Sequence, residues 1–184
     1  LIQLALSGRQ ADLNRPMSAD TSPVRFRMNS GDNPRTIAQN LVTTALIGDG
    51  QLFVDYVQLN DIDTQLEAGT YFLKRSQTIP EIALALTDSR NSYIPFRIIE
   101  GERIEEIAKK IDDARAYFGF SGAEFLVQVK AEATVDAAFA NKVGLPAGAS
   151  LEGFLSPDSY ELPADITPVM LRDILLQNFN RKVS

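Results

Sequence analysis

The sequence predicts an α+β fold made of two small, related subdomains. Stretches in which apolar residues alternate, as in strands, are separated by stretches in which they recur every three or four positions, as in amphipathic helices. A strand, a turn containing glycine and a helix then recur at an offset of 70 residues. Two copies are too few for a solenoid, and we therefore expect two similar subdomains. The paired landmarks are Phe26-Arg27 and Phe96-Arg97, Gly31-Asp32 and Gly101-Glu102, and Ile37-Ala38 and Ile107-Ala108.

The first subdomain is expected at residues 24–91, after a linker or arm at 1–23 that is rich in polar residues, glycine and proline. Its first helix is predicted to begin at Asn33, with Pro34 in the first turn, where the missing proline N–H is harmless. Thr78 is a plausible cap for a later helix. The predicted elements are a strand at 24–28, a helix from Asn33 that breaks at 48–50, a helix at 51–60, a strand within 68–73 and a helix at 79–86.

The second subdomain is expected at residues 92–184. The segment 151–162 is predicted to be mostly irregular because of its glycine and prolines, although 158–162 echoes the strand at 69–73. Thr167 is a plausible cap for the last helix. The other predicted elements are a strand at 93–99 and helices at 103–111, 121–131 and 134–143. The apolar face of the last helix is predicted to comprise Met170, Leu171, Ile174, Leu175 and Phe179.

The composition excludes several classes of function. The chain of 184 residues has a formal net charge of −6, which disfavours binding to nucleic-acid phosphates. It contains no cysteine and no histidine, and this excludes thiol nucleophiles, disulfides, zinc fingers and Ser-His-Asp triads. Any catalysis must therefore use Asp, Glu, Lys, Tyr, Ser or Thr, and we predict no metal and no cofactor. No apolar run approaches the ~20 residues that span a bilayer.

One segment, Leu151-Glu152-Gly153-Phe154-Leu155-Ser156-Pro157-Asp158-Ser159-Tyr160, carries the strongest functional signal. It resembles the endolytic murein transglycosylase family, also called the YceG-like family, whose pattern is Leu-Glu-Gly, an aromatic residue, Leu, one further residue, and Pro-Asp-Thr-Tyr. The resemblance extends over residues 24–184 and includes the Glu-Gly turn at 99–102. Ser156 replaces a residue that is often a large aromatic in the family, and Ser159 replaces the usual Thr.

The resemblance implies a lytic cleavage of MurNAc–GlcNAc bonds within peptidoglycan strands, with a 1,6-anhydro product and Glu152 as general acid and base. Because the sugar's own C6 hydroxyl is the nucleophile, one carboxylic acid can suffice where ordinary glycosidases use two. Such an acid needs an apolar environment that keeps it protonated. The residues expected to bind substrate are Gly153, Phe154, Asp158, Ser159 and Tyr160. Asp158 is the competing acid, for which we favour a structural role at the turn.

The strand-helix-helix-strand order of the first subdomain resembles a LysM-type module, which implies binding of N-acetylglucosamine-containing glycans. Tyr71 or Tyr56 could stack on a sugar there. Glu67 lies in a segment that mimics part of the catalytic motif but lacks Pro-Asp, so we assign it no catalysis. We interpret the charged residues of 100–110 as a solvated helix face with ion pairs at a spacing of four.

Two other functions stay open. The chain could be a non-catalytic glycan-binding or scaffold module, in which Glu152 would be exposed or ion-paired rather than set in an apolar groove. Relatives also carry the label aminodeoxychorismate lyase, but no glycine-rich phosphate loop accompanies any lysine here. The resemblance implies work at the outer face of the bacterial inner membrane, with glycan strands and cell-wall synthesis proteins as partners. We expect the chain to be a fragment that lacks its anchor and a further lobe, with little activity alone.

Overall fold

The structure, a computed structural model, describes residues 6–131 and 133–183, with only the backbone at Asn91. The chain divides between Ser92 and Tyr93 into two compact units. Each unit contains a two-stranded antiparallel sheet and several helices, so the predicted α+β class is confirmed.

The first unit packs its helices against one face of its sheet. In the sheet, Phe26 lies opposite Tyr71, and both side chains are buried in the apolar core. Leu41 and Phe53, from the two helices between the strands, are fully buried in the same core. The elements are α1 (Gln10–Leu13), β1 (Pro23–Met28), α2 (Pro34–Thr43), α3 (Gly50–Leu59), β2 (Gly69–Lys74), α4 (Ile79–Ala85) and a 3₁₀ turn at Ser89–Asn91.

The second unit repeats this order with one helix more between its strands. Its sheet pairs Phe96 with Tyr160, and its helices bury Ile107, Phe125 and Leu171. The elements are β3 (Tyr93–Ile98), α5 (Ile104–Asp113), α6 (Gly122–Val129), α7 (Ala137–Val143), β4 (Asp158–Pro163) and α8 (Pro168–Lys182).

The helices begin where capping chemistry predicts. The Asn33 side chain accepts hydrogen bonds from the backbone N–H groups of Arg35 and Thr36, both at 3.0 Å. Thr78 and Thr167 cap α4 and α8 in the same way. These side chains satisfy backbone donors that have no partner within a helix, which explains why the helix starts could be predicted locally.

The 70-residue repeat is a repeat of hydrogen bonds as well as of sequence. Gly31 and Gly101 both have positive φ angles, +89° and +86°, that other residues rarely adopt. Before each glycine, a backbone N–H donates to the acidic side chain three residues later: Asn29 to Asp32 at 2.8 Å and Ile99 to Glu102 at 3.0 Å. The two units therefore share one construction, as the sequence predicted.

The units differ by an insertion in the second one. In the first unit the N–H of Ile62 donates to the carbonyl of Val57 at 2.8 Å, and Leu151 makes the same bond to Val129 at 2.8 Å. Four residues separate the first pair and 21 separate the second, so the second unit carries 17 additional residues. They include α7 and lie between Val129 and Leu151, the residue that precedes Glu152.

Several expectations about local structure were wrong. The segment expected to be an arm contains α1, with Leu13 buried and Arg9 paired with Asp49 at 2.8 Å. The end of the segment expected to be irregular forms β4, because β3 supplies partners for its backbone. Met170 lies among the exposed residues of α8, outside the buried face.

The charged helix face at 100–110 also pairs differently from the prediction. Glu105 pairs with Lys130, at 3.2 Å, and Glu102 pairs with Lys110. Only Lys109 forms an ion pair at a spacing of four there, and its partner is Asp113, at 2.7 Å. The pair of Glu105 with Lys130 therefore also connects this face to the end of α6.

Candidate functional site

Glu152 lies in a tight turn between the insertion and β4. The preceding residue, Leu151, is fully buried, whereas Glu152 and Gly153 are exposed. The N–H of Glu152 donates to the hydroxyl of Ser150 at 3.1 Å, and the N–H of Phe154 donates to the carbonyl of Leu151 at 3.0 Å. Gly153 has a φ of +83°, which favours glycine. Burial of Leu151 thus anchors a turn that presents the carboxyl group outward.

The carboxylate of Glu152 meets the start of α5. The backbone N–H of Ile104 donates to its Oε2 atom at 3.3 Å. The first unit has no counterpart of this bond, because Pro34 occupies the position of Ile104 and has no N–H. Arg103 precedes α5 but offers no acceptor, in contrast to Asn33 before α2. Glu152 therefore supplies part of the cap that α5 lacks.

The apolar groove expected around Glu152 is not formed by the described residues. The side chain is exposed, and charged groups lie on the neighbouring segments. Lys130, which follows Val129, pairs at 3.2 Å with Glu105, which follows Ile104. The apolar environment was predicted from sequence neighbours alone. Leu151, Phe154 and Leu155 do flank Glu152 in sequence, but their side chains turn inward and do not surround its carboxyl group.

Asp158 is held by α8 and is ionised. Its carboxylate accepts hydrogen bonds from the Asn178 amide and from the N–H of Ser159, both at 2.9 Å, and lies 3.2 Å from the Lys182 ammonium. The bond from Asn178 contributes most to lowering the pKa of Asp158, which falls to about 2. A carboxyl group with this pKa is a poor proton donor near neutral pH.

Tyr160 belongs to the same hydrogen-bond network. Its hydroxyl donates to the carbonyl of Ser156 at 2.6 Å and accepts from the Asn178 amide at 2.9 Å. The Asn178 carbonyl oxygen accepts from Arg181 at 2.6 Å. Asn178 was not among the predicted site residues. A signal was present, because this amide continues the buried row of Leu171 and Leu175 on α8.

Phe154 packs in a cluster of three rings rather than standing free. Its ring lies edge-on to Phe179 of α8 at a centroid distance of 5.4 Å and to Phe139 at 6.2 Å. Phe139 and Phe179 are 6.5 Å apart. Because Phe139 comes from the insertion, these contacts join the insertion, the turn of Glu152 and α8. Ser156, which was expected to stand at a wall of the groove, is buried and 1% exposed.

The predicted site residues thus fall into separate groups. Among the described residues, no hydrogen bond joins Glu152 to the segment Asp158–Tyr160. Ser159 is exposed on the outward face of the sheet, opposite Arg97, whereas Asp158 and Tyr160 turn toward α8. Glu152 and Gly153 share the turn and are the two members that stand together at an open surface.

In the first unit, the structure excludes Tyr71 from stacking on a ligand. Its side chain is only 2% exposed, and burial raises its pKa to about 12. Its hydroxyl donates to the carbonyl oxygens of Glu67 and, at 3.2 Å, Leu86. The Glu67 carboxylate accepts from the N–H and hydroxyl of Ser89, both at 3.1 Å, so Glu67 has a structural contact. Tyr56 is half-buried against the core.

Within residues 6–131 and 133–183, no three acidic side chains gather in a way that could hold a metal ion. No helix in that part of the chain is long and apolar enough to cross a membrane.

Comparison with known proteins gives a family match. The model of the YceG-like family matches residues 26–184. No curated protein sequence matches the chain. A solved yceG-like protein from Listeria monocytogenes is 18% identical, with a TM-score of 0.39, and the match covers 88% of this chain and 55% of that protein. The chain thus spans about half the length of that relative.

Proposed function

Since the chain belongs to the YceG-like family, we propose that it takes part in lytic cleavage of the glycan strands of peptidoglycan, with Glu152 as the general acid and base. One observation carries the assignment of Glu152. It is an outward-facing carboxyl group in the turn that directly follows the insertion, the element by which the second unit differs from the first.

The proposed reaction needs one group that first gives and then takes a proton. Glu152, as the acid, protonates the glycosidic oxygen between MurNAc and GlcNAc, and the bond to the leaving sugar breaks. The carboxylate then removes the proton of the C6 hydroxyl, whose oxygen closes the 1,6-anhydro ring. Water is not consumed, and the nucleophile is held in place by the substrate itself. Proton transfer of this kind requires Glu152 within hydrogen-bond reach of both oxygens.

The turn is open enough for a bulky strand to approach. A Cβ atom placed on Gly153 would meet no atom within 4 Å. The described residues leave the side chain of Glu152 exposed. In our proposal the bound glycan therefore has to cover it and exclude water. Removal of that water would favour the protonated acid that the reaction needs.

The rest of the motif has a supporting role in this proposal. Asp158, Tyr160 and Asn178 tie the start of β4 to α8. The ring of Phe154 ties the turn to the same helix. Both connections limit the movement of the chain that carries Glu152, and a group that transfers protons must be positioned to within a fraction of an ångström.

A second candidate function is a non-catalytic glycan-binding or scaffold module. The exposure of Glu152 and its bond to the N–H of Ile104 favour it, because a capping carboxylate needs no catalytic role. We further propose that the first unit is LysM-like and binds glycan, on the basis of its strand-helix-helix-strand order. The site of action would be the outer face of the bacterial inner membrane, beside cell-wall synthesis proteins.

The test is Glu152→Gln, studied in the 184-residue chain and in any longer protein that contains it. Gln keeps an oxygen that can accept from Ile104 but cannot transfer the proton. We expect new 1,6-anhydro ends on polymeric glycan strands to be lost, while the melting temperature is unchanged. Glu100→Gln, at an exposed glutamate of the same unit, is the matched control and should keep full activity.

Two outcomes would contradict the assignment. Undiminished product from Glu152→Gln would remove Glu152 from the mechanism. Binding of glycan strands without any anhydro ends, from a longer protein that contains the unchanged chain, would favour the scaffold function. Glu152→Ala also removes the oxygen that accepts from the N–H of Ile104. It therefore separates the catalytic role from the capping role, because only this variant should destabilise α5, by about 1 kcal/mol as for a lost cap.

A further inference from the structure

The outward face of the second sheet carries polar groups that the fold leaves unused. Arg97 lies opposite Ser159, and Pro95 lies opposite Glu161. All four residues are exposed. Among the described residues, none forms a hydrogen bond or ion pair with the guanidinium of Arg97, the hydroxyl of Ser159 or the carboxylate of Glu161. This face therefore offers hydrogen-bond donors and acceptors side by side that a ligand could use.

An aromatic ring stands at one end of the same face. Tyr93 is 47% exposed, so its ring is accessible to a ligand. Together with the residues of the two strands it lines an open depression of about 570 Å³. The lining residues are Tyr93, Pro95, Phe96, Arg97, Ser159, Tyr160 and Glu161.

The chemistry of this face suits a carbohydrate. A pyranose ring presents C–H groups to an aromatic face and hydroxyl groups to polar side chains at its edge. Arg97 and Glu161 carry opposite charges, so the face lacks the cluster of cations that a phosphate or polyanion would need. A neutral sugar can use the donors of Arg97 and the acceptors of Glu161 together.

The first unit provides an internal comparison, because its sheet has the same register. Pro23 stands where the second unit has Tyr93, and Phe72 stands where it has Glu161. The counterpart of Ser159 is Thr70, which is buried. Of Arg97 and Ser159, only the arginine has a like counterpart in the first unit, which is Arg27. The aromatic and polar set is therefore specific to the second unit and does not follow from the duplicated fold.

We propose that the face formed by Tyr93, Arg97, Ser159 and Glu161 is a second carbohydrate-binding surface, here called the sheet surface. It would hold N-acetylhexosamine sugars of a glycan. These sugars are distinct from the MurNAc–GlcNAc pair whose bond lies at Glu152. The choice of this ligand class rests on the proposed function, whereas the surface itself requires no catalysis. Ser159, expected to bind substrate beside Glu152, is reassigned to this surface.

The test is an NMR titration of the ¹⁵N-labelled 184-residue chain with the hexamer of N-acetylglucosamine, which carries no peptide. We expect saturable shifts of the amides of Tyr93, Ile94, Arg97 and Ser159. Tyr93→Ala and Arg97→Gln should each raise the Kd read from these shifts by about tenfold. Arg27→Gln, at the equivalent position of the first unit, is the matched control and should leave the Kd unchanged.

The proposal is overturned if these amides do not shift, if the shifts are confined to the turn of Glu152, or if both variants bind like the unchanged chain. It is also overturned if a free stem peptide produces the same shifts, since the surface would then recognise peptide. Glu152→Gln should bind the hexamer as the unchanged chain does. Shifts at the sheet surface, together with no anhydro ends from any longer protein that contains this chain, would thus uphold this surface while refuting the proposed cleavage.

Discussion

Replacement of Asn178 by alanine should loosen the connection between the start of β4 and α8. Asn178 is 7% exposed and donates at 2.9 Å to both Asp158 and Tyr160. Each acceptor keeps another partner, because Asp158 retains Lys182 and Tyr160 still donates to Ser156. The carbonyl oxygen of Asn178 also accepts from Arg181, and the variant removes this bond too. The loss is therefore close to the net value of three hydrogen bonds, about 3 kcal/mol in the free energy of unfolding of the second unit.

The measurement is urea unfolding of the 184-residue chain, followed by NMR so that each unit reports separately. The matched control is Gln177→Ala, which truncates an exposed side chain next to Asn178 on the same helix. We expect the control to change the free energy of unfolding by less than about 0.5 kcal/mol. If Asn178→Ala unfolds at the same urea concentration as the control, the network does not stabilise the second unit and the reasoning fails.

Two further predictions concern a titration and a packing contact. The pKa of Asp158 is depressed to about 2, so its contribution to stability is complete above its unfolded value and is lost as the pH falls through about 2. An NMR titration of its carboxyl carbon should show this midpoint, and Asn178→Ala should raise it; an unchanged midpoint would exclude Asn178 as the main cause. Gly122→Ala should destabilise the second unit by about 3 kcal/mol, because its Cβ would lie 2.2 Å from the carbonyl oxygen of Ala108. At the equivalent Gly50, a Cβ atom would lie 3.4 Å from the Cβ of Ala38, so Gly50→Ala should stay within about 1 kcal/mol of the unchanged protein in urea unfolding. Equal effects of the two substitutions would contradict the predicted clash at Gly122.

Short-range features were predicted well because their causes are local. Asn33, Thr78 and Thr167 cap helices through bonds to residues two or three positions later. The 70-residue repeat was visible because the same turn and the same helix face need the same residues twice. The strand Asp158–Pro163 was missed as a strand, since its polar residues and the prolines at 157 and 163 suit a loop until β3 pairs with it.

The sequence by itself determined the α+β class, the duplicated construction and the segment that carries Glu152. Only the tertiary structure decided what surrounds that residue. The bond from Ile104 joins groups 48 positions apart, and Asn178 reaches Asp158 from 20 positions away. Leu151 and Phe154 indicated an apolar setting by sequence, yet they turn inward and leave the carboxyl group of Glu152 in water. Neighbourhood along the chain fixes dihedral preferences and caps, whereas the environment of a side chain is set by elements that folding brings in from far along the sequence.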